Sequence, residues 1–148
     1  MSNKLKDVLS QIERQEFATE TGRAVHAKMQ HIVIKKDAFI GDISLCEKIS
    51  SHPNLLSFFD EKSKTEVPVA GYINGRFVSR RIDRLVINDD KKEVSILDYK
   101  TDVDKSTFHD KYVAQIKEYV TLLYGIYPEY KIHAYLLWLN DFSLEEVL

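Results

Sequence analysis

The chain has 148 residues, 44% hydrophobic and 30% charged, with a formal net charge of −2. That composition suits one compact domain with a sizeable core, and it excludes a disordered chain or a strongly basic nucleic-acid-binding one. The single cysteine, Cys46, excludes an internal disulfide and any four-cysteine zinc or iron–sulfur site, and is expected as a small buried hydrophobe.

The opening stretch MSNKLKDVLSQIERQ is too charged for the apolar region of a signal peptide, and no apolar run reaches bilayer length. No membrane association and a cytoplasmic location are expected. Within that stretch, Leu5, Val8, Leu9 and Ile12 fall at helical intervals. A second helix is predicted over TGRAVHAKMQHIVIKK, with Val25, Met29, Ile32 and Val33 as its stripe and Thr21 as its N-cap. Two short helices are predicted around Gly41 to Ser50 and Asn54 to Phe59.

After Lys64 the pattern turns to strands. TEVPVAGYI and RFVSRRIDRLVI flank Asn74-Gly75, a strong hairpin signal because both residues tolerate positive φ. KEVSILDYK is a third strand after the turn NDDKK. A helix is predicted from about Phe108 to Tyr124, with Tyr112, Ile116, Val120 and Leu123 on one stripe and Gly125 and Pro128 ending it. KIHAYLLWL reads as a buried strand. The fold class is mixed α/β in one domain over 1–148, helical to about 62, then sheet and helix from about 63 to 140.

Alternation in KEVSILDYK puts Val94, Ile96, Asp98 and Lys100 on one face, and Ser95, Leu97 and Tyr99 on the other. An acid and a lysine together at a buried strand end can serve one site: the acid holds a divalent cation, and the lysine stabilises charge developing on a phosphate. The acid–any–lysine pattern recurs at Asp60, Asp89, Asp90 and Glu129, so it says little alone. Only Asp98 and Lys100 close a buried strand from within, where an unpaired charge is costly. A structural salt bridge explains the pair equally well.

Asp83, inside RRIDRLVI, needs a partner: Arg81, Arg84, or a metal shared with Asp98. Glu66 at the preceding strand's start is a further carboxylate, or a solvated strand end. His26 sits in a helical pattern, and Gln115 and Tyr119 share a helix face four residues apart. Packed or solvated positions are the bland readings of these three.

In order these residues read Gly22-x-x-x-His26, Glu66, Ile82-Asp83-Arg84, Asp98-Tyr99-Lys100-Thr101, Gln115-x-x-x-Tyr119. The set resembles the RecB-like nuclease domains of the PD-(D/E)XK superfamily, closest to the C-terminal nuclease domains of AddA-type bacterial helicase–nucleases, over roughly His26 to Leu139. The resemblance implies a restriction-endonuclease-like mixed central sheet flanked by helices. It implies that His26, Asp83, Asp98 and the Tyr99 carbonyl hold Mg²⁺ or Mn²⁺, and that Lys100 is the catalytic lysine. Glu66 matches an acidic position of many members, and Gln115 and Tyr119 match a helical motif that supports the site. The implied activity is metal-dependent DNA hydrolysis in bacterial repair and recombination, in the cytoplasm at the nucleoid. A helicase subunit, or a helicase region of a longer parent chain, is the implied partner.

Arg80 and Arg81 stand where many relatives have glycine. They join Arg76, Arg84, Lys111 and Lys117 as candidate phosphate contacts, against the bland reading of a solvated basic surface. No iron–sulfur cluster is expected. None of the glycines is followed by lysine, so no Walker-type ATP site is expected. The competing functions are a non-catalytic nucleic-acid-binding module and a metal-dependent RNase or phosphoesterase.

Overall fold

The structure is a computed structural model that describes residues 20–101 and 105–148. The helix expected over Leu5 to Ile12 lies outside the described residues. Helix α1 spans Glu20–Gln30, so position 21 lies inside the helix and not at its N-cap. The predicted stripe overran the helix's end. Val33–Lys35 is strand β1, paired antiparallel with β2, Ala38–Ile40. The run Ile32-Val33-Ile34 is β-branched throughout, and such residues favour extended backbone. Ile34 donates its amide to the Phe59 carbonyl at 2.7 Å, which anchors the small hairpin.

Helix α2, Ile43–Ser50, is capped by Asp42, whose side chain accepts from the Leu45 amide at 3.0 Å. Gly41, just before it, has φ +105°, and a Cβ there would lie 3.2–3.3 Å from Ile32. The short helix α3, Pro53–Leu56, starts with proline in its first turn.

Strands β3 (Lys64–Ile73) and β4 (Arg76–Asn88) form the expected hairpin, with Asn74 at φ +50° and Gly75 at φ +79°. Strand β5 is Glu93–Lys100 and helix α4 is Lys105–Ile126. Gly125 lies within α4, and the helix stops two residues before Pro128. Strand β6, Lys131–Trp138, returns parallel to β5. Strand β7, Ser143–Glu146, pairs antiparallel with β6. Its sequence SLEE is short and acidic, and it forms because a paired edge is available, not because of local preference.

The result is a mixed five-stranded sheet, β3-β4-β5-β6-β7, flanked by helices. One face packs on α4 through Ile82, Leu85, Val94, Ile96, Ile116 and Leu136. The other packs on α1, α2 and α3 through Met29, Cys46, Ile49, Phe59, Leu97 and Tyr99. Cys46 is fully buried there. Among the described residues no helix is long and apolar enough to cross a membrane.

Arg84 is 1% exposed and joins the second face together. Its guanidinium donates to the Met29 and Ile32 carbonyls at 2.8 and 2.6 Å, and to the Phe58 carbonyl at 3.2 Å. It also donates to the Ser63 and Tyr99 hydroxyls, both at 2.9 Å, and lies 4.3 Å over the Phe59 ring. A phosphate cannot reach it, so Arg84 is not a nucleic-acid contact. Truncation would strand several buried acceptors at about 1–3 kcal/mol each. Arg84→Ala is expected to lose more than about 3 kcal/mol in urea unfolding. A loss below about 1 kcal/mol would mean that water replaces the guanidinium.

Candidate functional site

Two local irregularities build the site. Along β4, Val78 and Ile82 face α4, but so do Leu85 and Ile87, while Arg84 and Val86 face the other way. The alternation of faces therefore reverses at Asp83. Directly across, Glu66 has φ +49°, and the regular β3–β4 pairing skips from Thr65↔Arg84 to Val67↔Ile82. On its other side β4 pairs with β5 only as far as Arg84↔Leu97. The backbone ladder opens there, and the Asp83 side chain accepts the Tyr99 amide at 2.8 Å. This is why an acid stands among apolar strand residues: it closes a gap in the sheet.

On β5, Asp98 and Lys100 share the α4 face with Val94 and Ile96, as the alternation requires. Both are buried, at 4% and 1% exposure. Lys100 Nζ lies 2.8 Å from Asp98 Oδ2 and donates to Gln115 Oε1 at 2.8 Å. Gln115 Nε2 donates to the Tyr119 hydroxyl at 2.9 Å, and the ammonium stands 4.2 Å over the Tyr112 ring. One turn of α4 thus fixes the lysine head through a chain of polar contacts. Gln115 is 2% exposed and bonded, not solvated.

Asp83 and Asp98 line the same pocket, and their charges interact there. Burial pushes the Asp83 carboxyl well above its usual range, and the Asp98 charge pushes it further; the Tyr99 amide and Lys100 only partly offset this. His26, on α1, approaches Asp83 Oδ2 with Nε2 at 3.9 Å and meets the Tyr99 ring edge-on at 5.7 Å. Tyr99 itself turns its ring and hydroxyl into the opposite core, stacked 6.5 Å from Phe59. Its side chain is no part of the site.

A pocket of about 600 Å³ opens over these groups. His26, Asp83, Asp98, Lys100, Gln115 and Tyr119 all line it. Glu66 borders it too, 3.5 Å from Arg81 on the same rim. Neither arginine expected beside Asp83 pairs with it: Arg81 takes Glu66 and Arg84 points away. Arg80 lines the pocket with its Nε 2.7 Å from Glu118 of α4. Arg76 stands apart at the hairpin end. Pro68 and Ser79 also line the pocket and carry no chemistry that would mark them in a sequence.

Among the described residues no three His, Cys, Asp or Glu side chains converge as a ready-made metal cage. The Asp83–Asp98 pair still fits a hard divalent cation. Burial and the Asp98 charge favour the protonated Asp83 carboxyl, a bound cation would relieve that, and His26 stands beside it. No protein-family model matches the chain, and no curated protein matches it significantly.

The raised Asp83 carboxyl has a signed consequence. A carboxyl held above its unfolded value leaves stability full at acid pH and loses it as pH rises through and beyond the ordinary carboxylate range. Asp83→Asn keeps an acceptor for the Tyr99 amide and removes that loss. In chelator at neutral pH the variant is therefore expected to unfold at higher urea than the parent. The gap should close toward about pH 4, near the ordinary carboxylate pKa. A variant less stable than the parent at neutral pH would contradict this reading.

Proposed function

We propose that the chain is a metal-dependent nuclease of the RecB-like kind, on a restriction-endonuclease-like sheet. The observation that carries this reading is that Asp83, in the middle of β4, and Asp98, near the end of β5, line one pocket, with Lys100 on Asp98 and held by Gln115. A simple structural salt bridge needs Asp98 and Lys100 alone. It gives no reason to bring a second carboxylate against the first, nor to leave the group at the wall of an open pocket.

Asp83 and Asp98 would hold Mg²⁺ or Mn²⁺, with His26 as a third ligand that suits Mn²⁺ better. The chemistry such an ion would supply is polarisation of the scissile phosphate and activation of the attacking water. The remaining work belongs to the side chains. Lys100 presents its ammonium where negative charge develops on the phosphate. Gln115 and Tyr119 keep that ammonium in place, so little reorganisation is needed at the moment of reaction. Water adds its hydroxyl to phosphorus, the ester oxygen leaves, and the water's proton ends on that oxygen.

DNA is the substrate this reading favours, delivered by a helicase subunit or by a helicase region of a longer parent chain, in the bacterial cytoplasm. The net charge of −2 supports assisted delivery, since unaided affinity for a polyanion would be weak.

The test is cleavage of labelled single- and double-stranded DNA and RNA with Mg²⁺, with Mn²⁺ and with chelator. Cleavage is expected with metal only. Lys100→Gln, which keeps a long polar side chain, is expected to lower it by about 10²–10³-fold with an intact thermal transition. Equal cleavage by the folded variant would remove Lys100 from the chemistry. Metal-independent binding without cleavage would leave a non-catalytic nucleic-acid-binding module.

A further inference from the structure

Beyond the site, β3 and β4 continue as a two-stranded ribbon, because β5 pairs with β4 only from Arg84 to Asn88. One face of the ribbon lies on α4: Val67, Val69, Ile73 and Val78 join that core. A Cβ at Gly71 would come within 3.2 Å of Leu122. Among the described residues nothing covers the opposite face. It carries the cross-strand pairs Tyr72↔Phe77, Ala70↔Ser79 and Pro68↔Arg81, and it ends at Glu66 and Asp83.

Tyr72 is 75% exposed and Phe77 59%. Their rings meet edge-on at 5.7 Å, with planes at 69°. A cross-strand aromatic contact steadies a hairpin, but that explains their contact and not their position. The same two rings on the α4 side would bury their area. Here they stand open at the ribbon's tip, six residues from the carboxylates, or about 20 Å of extended strand. Between them lie the small side chains of Ala70 and Ser79, then Arg81, whose side chain is 67% exposed.

We propose that this face is a track for single-stranded nucleic acid, with Tyr72 and Phe77 stacking bases and Arg81 contacting the backbone on the way to the pocket. Exposed rings offer flat faces that an unpaired base can cover, whereas the bases of a duplex already cover one another. The small pair leaves a trough between the two contacts. Arg81 lies 3.5 Å from Glu66 through one guanidinium nitrogen and, being largely exposed, turns its other donors to where a phosphate would pass. The track deepens the nuclease reading and rests on it for direction, but binding can be measured without cleavage.

The experiment is fluorescence anisotropy of labelled oligo-dT, oligo-rU and a blunt duplex in chelator at about 50 mM salt. Single strands are expected to bind more tightly than the duplex, and the dT and rU arms tell DNA from RNA. Tyr72→Ala/Phe77→Ala should weaken single-strand binding at least about tenfold, within the range for losing stacked bases, with the thermal midpoint kept. Tyr72→Phe/Phe77→Tyr should restore it. Arg81→Gln should lower the slope of log affinity against log salt by about 1. Single-strand binding absent up to about 10⁻⁴ M, or unchanged in the alanine pair, overturns the track. So does a concentration-dependent dimer that the alanine pair abolishes, since the rings would then be a contact between copies. Loss of metal-dependent cleavage in Lys100→Gln with intact single-strand binding separates the chemistry from the track.

Discussion

The inward turn of Arg84 is the constraint on which the site depends. A buried guanidinium is tolerated only when its donors are met. Here they are met by carbonyls at the end of α1, by the loop after α3 and by the Tyr99 hydroxyl. Arg84 therefore faces the α1 side of the sheet, and Leu85 beyond it faces α4. Asp83 is left at the reversal, where β4 has stopped pairing with β5. Its carboxylate fills the vacant acceptor position for the Tyr99 amide. Tyr99 is gripped at both ends, hydroxyl by Arg84 and amide by Asp83. The residues on either side of it, Asp98 and Lys100, are thereby aimed at the opposite face. One buried cation orders α1, with His26, and both strands that carry the acids.

That arrangement separates two kinds of cost. The Arg84 network is fully bonded and contributes to stability. The placing of Asp83 opposes it, since burial and the Asp98 charge both discourage its ionisation. Lys100 offsets only part of that repulsion while bonded to Asp98 and Gln115. A fold under selection for stability alone would replace one acid by an amide. Local destabilisation kept in a pocket, and surrounded by a well-satisfied frame, is the usual mark of a site for a ligand.

Much of this was legible in the sequence. Period-two alternation in KEVSILDYK placed Asp98 and Lys100 on one face, and Asn74-Gly75 gave the hairpin that brings Asp83 opposite Glu66. Of the ordered set, His26, Glu66, Asp83, Asp98, Lys100, Gln115 and Tyr119 line the pocket, while Arg84 and the Tyr99 side chain do not. What was not legible depends on tertiary context. Arg84 looked like any basic residue of a strand, because no local pattern signals a reversal of faces. Ile32 to Ile34 continued a helical stripe while preferring extended backbone. The last strand has no apolar pattern of its own and forms against the edge of β6. Gln115 looked solvated until a buried lysine stood in front of it.

Charge governs what the pocket can accept. Glu66, Asp83 and Asp98 border it, with Lys100, Arg81 and the Glu118-paired Arg80 as the opposing charges. Without a cation such a pocket, with its acids and bases in balance, offers a phosphate no net attraction, and the chain's net −2 offers none at long range. Affinity for a nucleic acid must then come from contacts away from the carboxylates that do not depend on net charge. Stacking on aromatic rings is such a contact, worth about 1–3 kcal/mol per base and little affected by a negative field. The open rings of Tyr72 and Phe77 are about 20 Å from the acids along the strand, far enough to escape most of their repulsion at physiological salt. A strand held at the tip would meet the acids only at its advancing end, where a divalent cation, if bound, would make the local charge positive. On this reading, holding falls to the tip of the hairpin, which binds without metal, and cutting to its base together with the end of β5, which act only with it.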